Sequence, residues 1–378
     1  MKLKVATIVG TRPEVIRLSR VISLLDKTVN HILIHTGQNY DYELNEIFFN
    51  ELEIRKPNYF LNIDASSVGK AYGNTLISTE EVLQKEKPDA VLVLGDTNSS
   101  IAIIIAKRMK IPVYHMEAGN RCFDLNVPEE INRKVVDSIS DFNLVYTEHG
   151  RRNLLAEGFP ARRIYLTGSP MKEVLSYYSP KIEKSTILST LNIKPRDYFL
   201  VSAHREENVD RKSNLKSIIQ ILETLTLKYK KKVIFSTHPR TRNRLEKLGI
   251  SDINSNIFFL KPFGFIDFIS LQKNALCTIS DSGTISEEAA ILNFKAITIR
   301  NAMERPEAMD SGSIITTGLQ PNTILNSIDF LLNNEPNIEF SLPAEYLIKD
   351  VSRRVVKLII GTTLLSNKWD GIEKNNLA

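Results

Sequence analysis

The feature that most constrains this chain is an alternation that occurs twice. Short apolar, β-branched runs at 5–9, 32–35, 90–94, 111–116, 141–146 and 163–166 are separated by stretches with helical spacing. Those stretches predict helices over 12–25, 43–52, 70–84 and 101–109, one entered near Pro128, and one over 150–157. A second series follows, with strands over 198–202, 233–237, 257–260, 276–280 and 296–299. Its helices are predicted over 215–228, from Pro239, over 266–272 and 285–292, and near Glu304. Late helices are predicted over 323–332 and 346–365. Strands that are apolar throughout, each followed by a helix, predict parallel sheets covered on both faces. Between 170 and 197 the apolar periodicity weakens and Pro, Ser, Tyr and Lys accumulate. At 378 residues the chain exceeds one ordinary core. Two Rossmann-like, doubly wound α/β domains are therefore expected, over 1–170 and 190–351.

Charge and cysteine content narrow the class of partner. The net charge of +5 is modest for this length, and basic pairs such as Arg151–Arg152 and Arg162–Arg163 are scattered. No basic stripe with interleaved aromatics exists, so a small anion is expected rather than nucleic acid. Cys122 and Cys277 are far apart in sequence, which fits a reducing compartment and no disulfide framework. The apolar run of the N-terminus is too short for a signal peptide and ends in Gly-Thr-Arg-Pro-Glu, so it reads as a strand. No run approaches a membrane span. A cytoplasmic location with no membrane insertion is expected.

Polar residues concentrate just past the apolar runs. The stretch 111–133, IPVYHMEAGNRCFDLNVPEEINR, leaves a strand, gathers Glu117, Arg121, Asp124, Glu129 and Glu130, and enters a helix at Pro128. Pro suits a first helical turn and the glutamates favour its positive end. In open α/β sheets ligands bind at the carboxyl ends of strands. Gly10 with the capping-box pattern Thr11-x-x-Glu14, and Asp281-Ser282-Gly283-Thr284 with Thr284-x-x-Glu287, each follow a strand and open a helix. Both offer backbone N–H groups to an anion. His204 and His238 each follow a strand of the second series, and His204 leads a polar cluster with Arg205, Glu206, Glu207 and Asn208. No G-x-G-x-x-G follows the first strand, and no Walker, G-x-S-x-G or HExxH pattern occurs. No metal or cofactor is expected.

Taken together these motifs resemble the non-hydrolysing UDP-N-acetylglucosamine 2-epimerases. The signatures are Gly10-Thr-Arg-Pro-Glu14, Gly95-Asp96-Thr97, Glu117-Ala-Gly119, Pro128-Glu-Glu130 with Asn132-Arg133, and His204-Arg205. Asp281-Ser-Gly283 with Glu287-Glu288, and Glu304-Arg-Pro-Glu307, complete a set that runs in family order over nearly the whole chain. The resemblance implies two Rossmann-like domains of the glycosyltransferase-B type facing a cleft, a final helix (about 352–378) returning to the first domain, and a homodimer. It implies inversion of C2 in a UDP-linked 2-acetamido sugar by elimination and re-addition of UDP. Asp96, Glu117 and Glu129 are the implied acid–base groups, with His204 beside the leaving group. Arg12, Ser282 and Gly283 would hold the diphosphate, and Glu288 the ribose. Arg17, Arg121, Arg133, Arg205, His238, Thr284 and Arg305 complete the implied substrate contacts.

This sequence departs from many family members at Arg17, Glu206 and Gly283-Thr284, where Lys, Arg and Gly-Gly are common. Its loop from Glu117 to Pro128 is shorter than the common form. That loop resembles a capsule and O-antigen subgroup whose members make UDP-N-acetyl-L-fucosamine from its L-talo epimer or invert a diacetamido-uronic acid, and the stretch 299–312 looks more like the fucosamine branch. There the shortened loop would carry Arg121, Asp124 and Asn126 over the sugar, with Cys122 and Phe123 lining a 6-deoxy position. UDP-GlcNAc to UDP-ManNAc is the alternative substrate. A glycosyltransferase with a UDP-sugar donor and a silent UDP-sugar-binding protein are the alternative classes; the carboxylate-rich loop, which C2 chemistry needs, favours the epimerase.

Overall fold

The computed structural model describes residues 2–37, 42–249, 254–334 and 342–372. Most of the GQNYDY loop and the Asn-rich tail from 373 lie outside the described residues. The chain divides into two compact units, one of Met1–Tyr177 with Glu345–Ala378 and the other of Tyr178–Ala344.

The first unit begins with β1 (Lys4–Val9), α1 (Arg12–Thr28), β2 (Asn30–His35), α2 (Tyr42–Glu51) and β3 (Tyr59–Phe60). Next come α3 (Val68–Glu86), β4 (Ala90–Leu94), a 3-10 turn at Asn98–Ala102, α4 (Ile103–Arg108) and β5 (Val113–Ala118). α5 (Pro128–Ile139), β6 (Phe142–Val145), α6 (Glu148–Ala156), β7 (Ile164–Leu166) and α7 (Met171–Glu183) follow. The strands form one parallel sheet in the order β3-β2-β1-β4-β5-β6-β7. Every residue of β4 is buried, and β1 is buried from its second residue on, because helices cover both faces. One core joins Ala6, Ile8, Ile34, Val91 and Val93 of the strands to Val82 and Leu83 of α3. Burying each Val, Leu or Ile side chain there contributes about 1.5–3 kcal/mol.

The second unit holds α8 (Ile187–Thr190), β8 (Tyr198–Ser202), α9 (Glu206–Val209), α10 (Lys212–Tyr229), β9 (Lys232–Ser236) and α11 (Pro239–Leu248). It continues with β10 (Ile257–Leu260), α12 (Phe265–Asn274), β11 (Cys277–Ser280), α13 (Ile285–Leu292), β12 (Ala296–Thr298), α14 (Pro306–Asp310), β13 (Ile315–Thr316) and α15 (Pro321–Asn333). Its parallel sheet has the order β10-β9-β8-β11-β12-β13. The last helix, α16 (Val351–Trp369), belongs to the first unit. There Thr362 Oγ1 lies 2.6 Å from the Tyr114 hydroxyl, and Asn367 Nδ2 donates to the Lys110 carbonyl at 2.9 Å.

Several elements differ from the expected ones for identifiable reasons. β3 and β13 are two-residue edge strands, too short to carry an alternation. The stretch expected to separate the domains is largely helical, α7 and α8, and the division between units falls within α7, between Tyr177 and Tyr178. β5 does not end at Met116. It continues to Ala118 through an irregularity in its pairing with β6, and Glu117 stands there with φ +68°. Neither capping box forms: Thr11 and Thr284 make no side-chain cap hydrogen bond.

Candidate active site

In each sheet the strand order reverses once, between β1 and β4 in the first and between β8 and β11 in the second. The loops leaving the carboxyl ends of such a pair diverge, and the space between them is where open α/β sheets bind ligands. In the first unit those loops are Gly10–Thr11 and Gly95–Thr97. Gly10 has no room for a side chain, since a Cβ there would lie 2.4 Å from Thr36 Oγ1. Glu14, on the first turn of α1, turns its carboxylate into the gap. Oε2 accepts the Gly10 N–H at 2.6 Å, Ser99 Oγ lies 3.1 and 3.0 Å from the two oxygens, and the Thr97 hydroxyl donates to Oε1. Burial pushes the Glu14 pKa up to about 7, against the pull of these donors.

Asp96 precedes Thr97. Its Oδ2 accepts from Arg133 Nε and Nη2, both at 2.7 Å, while Arg133 Nη1 reaches Glu130 Oε2 at 2.7 Å. Asn132 Nδ2 donates to the Asp96 carbonyl at 2.8 Å, and the Tyr72 hydroxyl donates to Asn132. α5 therefore presents Glu130, Asn132 and Arg133 together against the Asp96 turn. Glu129, one residue earlier, is half-buried.

Glu117 is ion-paired to Arg17 of α1, and both side chains are nearly enclosed. Asn120 Nδ2 approaches the second oxygen at 3.3 Å. A non-glycine residue at positive φ costs about 1–3 kcal/mol, a cost met where the surroundings over-determine the conformation. The surroundings are buried and polar. His115 Nε2 lies 2.8 Å from the Gly95 carbonyl, and Nδ1 lies 2.8 Å from Asp137 Oδ1. Asp137 Oδ2 accepts the Gly119 N–H at 3.1 Å and Arg121 Nη1 at 2.8 Å. Gly119, at φ +77°, is obligatory because a Cβ would stand 2.3 Å from the Gly150 carbonyl oxygen.

The second unit repeats the arrangement with different groups. Asp281, directly after β11, accepts the backbone N–H of His204 at 3.0 Å, that of Arg205 at 3.0 Å, and Asn208 Nδ2 at 3.0 Å. His204 Nδ1 lies 3.1 Å from Oδ1. Burial opposes ionisation of Asp281, but the His204 charge and these hydrogen bonds outweigh it and hold the pKa down at about 2. The His204 and His238 rings are 6.0 Å apart. Arg300 forks onto Glu304 at 2.6 and 2.7 Å, and Arg205 Nη2 lies 3.8 Å from the same carboxylate. A Cβ on Gly283 would meet Glu304, Arg300 and Arg205 at 3.4, 3.7 and 3.9 Å, so the Gly283 backbone faces that cluster closely. Ser282 Oγ lies 3.0 Å from Thr284 Oγ1. Glu288 Oε2 accepts Gln272 Nε2 at 2.7 Å, and Arg305 Nη2 lies 3.6 Å from Glu287.

A family model described as UDP-N-acetylglucosamine 2-epimerase matches residues 24–360. The chain belongs to that family. It is an epimerase, an isomerase, built of two parallel-sheet α/β domains in a glycosyltransferase-B-like fold. An epimerase structure from Rickettsia bellii is 49% identical, with a TM-score of 0.91, over 97% of this chain and 99% of that one. A Methanocaldococcus jannaschii UDP-GlcNAc 2-epimerase, solved with UDP-GlcNAc and UDP, is 38% identical with a TM-score of 0.89 over 95% and 100%. A Pseudomonas aeruginosa protein named UDP-2,3-diacetamido-2,3-dideoxy-D-glucuronate 2-epimerase is 34% identical over 86% of this chain and 91% of its own.

Within this epimerase the structure brings Asp96, Glu130 and Arg133 together, and Arg17 with Glu117. In the second unit it gathers His204 with His238, and Arg205 with Gly283. Arg12 lies over the Phe48 ring at 5.4 Å. The Arg121 guanidinium is enclosed, bound to Asp137 and forked onto Glu157 at 2.7 and 2.6 Å, and through Asp137 it braces the Glu117 turn. Cys122 Sγ lies 3.2 Å from Glu130 Oε2, and Phe123 is 77% exposed. Asp137 and Gln272 escaped the sequence, since their partners lie 16 or more residues away, and Arg300 escaped although its partner Glu304 is only four residues on. Among the described residues no helix is long and apolar enough to cross a membrane.

Proposed function

We propose that this chain inverts C2 of a UDP-linked 2-acetamido sugar by eliminating and re-adding UDP. A carboxylate removes the C2 proton as the C1–O bond to UDP breaks, leaving a glycal with a C1–C2 double bond. UDP then returns to C1 while a proton is delivered to the opposite face of C2. The observation that carries this reading is Glu117, a carboxylate held at the end of β5 in a left-handed backbone conformation against Arg17. Asp96, Glu117 and Glu129 are assigned the acid–base work. His204 assists at the departing diphosphate, which Arg12, Ser282 and Gly283 bind with cationic and backbone donors. Glu288, oriented by Gln272, takes the ribose hydroxyls. Arg17, Arg133, Arg205, His238, Thr284 and Arg305 complete the binding groups. A transferase of the same fold would not need carboxylates so placed for C2 chemistry.

For the substrate we propose UDP-2-acetamido-2,6-dideoxy-L-talose, converted to UDP-N-acetyl-L-fucosamine for a surface polysaccharide such as capsule or O-antigen, in the cytoplasm, by a homodimer. The shortened loop after Glu117 and the stretch 299–312 support it. UDP-GlcNAc to UDP-ManNAc is a second reading, supported by the named activity of the Methanocaldococcus relative. Incubation in deuterated water with each UDP-sugar, followed by nuclear magnetic resonance, tests both levels. Deuterium entering C2 without an added acceptor is expected. Its absence with every candidate ends the epimerase reading. A preference for UDP-GlcNAc in direct competition ends the L-fucosamine assignment alone.

A further inference from the structure

Glu14 opens α1 beneath the Asp96 turn and has no role in the chemistry above. Its carboxylate is enclosed at 2% exposure and spans the reversal point of the first sheet, joining Gly10 after β1 to Thr97 and Ser99 after β4. Arg17, one helical turn further along α1, reaches Glu117. One face of α1 therefore anchors both carboxylate-bearing turns, the Asp96 turn through Glu14 and the Glu117 turn through Arg17. We propose that Glu14 is a positioning residue for Asp96, setting the turn Gly95-Asp96-Thr97 through the Thr97 and Ser99 hydroxyls. This rests on the reading of Asp96 as an acid–base group.

The hydrogen-bond inventory explains how the tie works. An ionised carboxylate only accepts, so the Gly10 amide and both hydroxyls are all donors to it. A protonated Glu14 must itself donate, which turns Thr97 or Ser99 from donor to acceptor and rearranges what the turn is tied to. The groups that face Glu14 are the Gly10 amide, the Thr11, Thr97 and Ser99 hydroxyls. Nearby, Arg17 is paired with Glu117, and Arg133 with Asp96 and Glu130. With no cation among the groups that set its ionisation, Glu14 changes state near neutrality, and the turn changes with it.

The test measures kcat and KM between about pH 6 and pH 8 for the parent, Glu14→Gln, Asp96→Asn and the double variant. Glu14→Gln keeps the shape and mimics the protonated acid. It is expected to lower kcat about 10-fold near pH 8 with KM within about 2-fold, since small misplacements of a reacting group are costly. Near pH 6, where the parent is itself largely protonated, the loss should shrink below about 3-fold. In the Asp96→Asn background the same change should cost less than about 2-fold. An unchanged kcat and pH profile for Glu14→Gln, or an equal loss in both backgrounds, overturns the inference while leaving Asp96 in place. Parental turnover by Asp96→Asn overturns the reading of Asp96, and this inference with it. Glu14→Asp, charged but too short for Thr97, is expected to lower kcat alike at all pH; parental kcat in that variant also overturns the inference.

Discussion

Glu14 and Asp281 occupy corresponding places in their domains and are treated in opposite ways. Each is a buried carboxylate that ties together the two loops leaving its sheet where strand order reverses, β1 with β4 and β8 with β11. Each accepts a backbone N–H and side-chain donors. Glu14 is pushed up to about 7 and Asp281 is held at about 2. The difference lies in what stands beside the hydrogen bonds. Asp281 has the His204 ring at 3.1 Å and two consecutive backbone amides. Glu14 has one amide and hydroxyls. Neutral donors alone do not offset the desolvation of a carboxylate, whereas an adjacent cation does. The same topological device is thus a fixed anion in one domain and a group near its titration point in the other.

The comparison breaks most visibly at Glu117. Glu117→Gln is expected to lower kcat about 10²–10⁴-fold and to stop deuterium incorporation at C2. UDP affinity, measured by calorimetric titration, should remain, because Glu117 is not among the groups assigned to the diphosphate and the ribose. A loss of UDP affinity equal to the loss of turnover would erase that division.

A smaller effect sharpens it through stability. The folded pKa of Glu14 is raised from 4.5 to about 7. Its stabilising contribution is therefore complete below pH 4.5 and is lost as pH rises through about 7. The change amounts to about 3 kcal/mol at most. Glu14→Gln should accordingly gain melting temperature relative to the parent near pH 8 and lose that advantage near pH 5. An advantage independent of pH would show that the carboxylate is ionised throughout.

The smallest effect has the opposite sign. The pKa of Asp281 falls from 3.8 to about 2, so it contributes stability above pH 4 that is lost only as pH falls through about 2. Asp281→Asn should cost about 2 kcal/mol near pH 5 in denaturant unfolding. No loss of stability in that variant would mean that the His204 charge and the backbone amides do not outweigh burial at Asp281.

How much of this was legible depended on distance along the chain. The strands Ala90–Leu94, Tyr198–Ser202 and Ile257–Leu260 and the helix Ile285–Leu292 have the bounds their apolar patterns predict. They are short, continuous runs cut off by turn residues, so local preference and tertiary burial agree. The polar residues obey no such rule. Glu14 looked like a helix cap, but its carboxylate turns to hydroxyls 83 and 85 residues away. The charged loop around Arg121 does not reveal that Asp137 and Glu157 enclose it. Glu117 looked like a loop residue because nothing in MEAG reveals that the strand continues through it at positive φ. A pattern of residue types locates a sheet's loops; the partners that neutralise each charge come from elsewhere in the chain.

The ownership of the last helix has a consequence for how the protein is made. Because residues from Glu345 onward pack into the unit that begins at the N-terminus, the second unit is one uninterrupted segment and the first is completed by both ends of the chain. On a ribosome adding about 5–20 residues per second, the first-born domain is the last to be finished. Its sheet emerges early, yet Tyr114 and the Lys110 carbonyl meet Thr362 and Asn367 only after translation has passed the whole second domain. A nascent chain stalled before α16 should therefore carry a protease-resistant second domain behind a first domain that is still open.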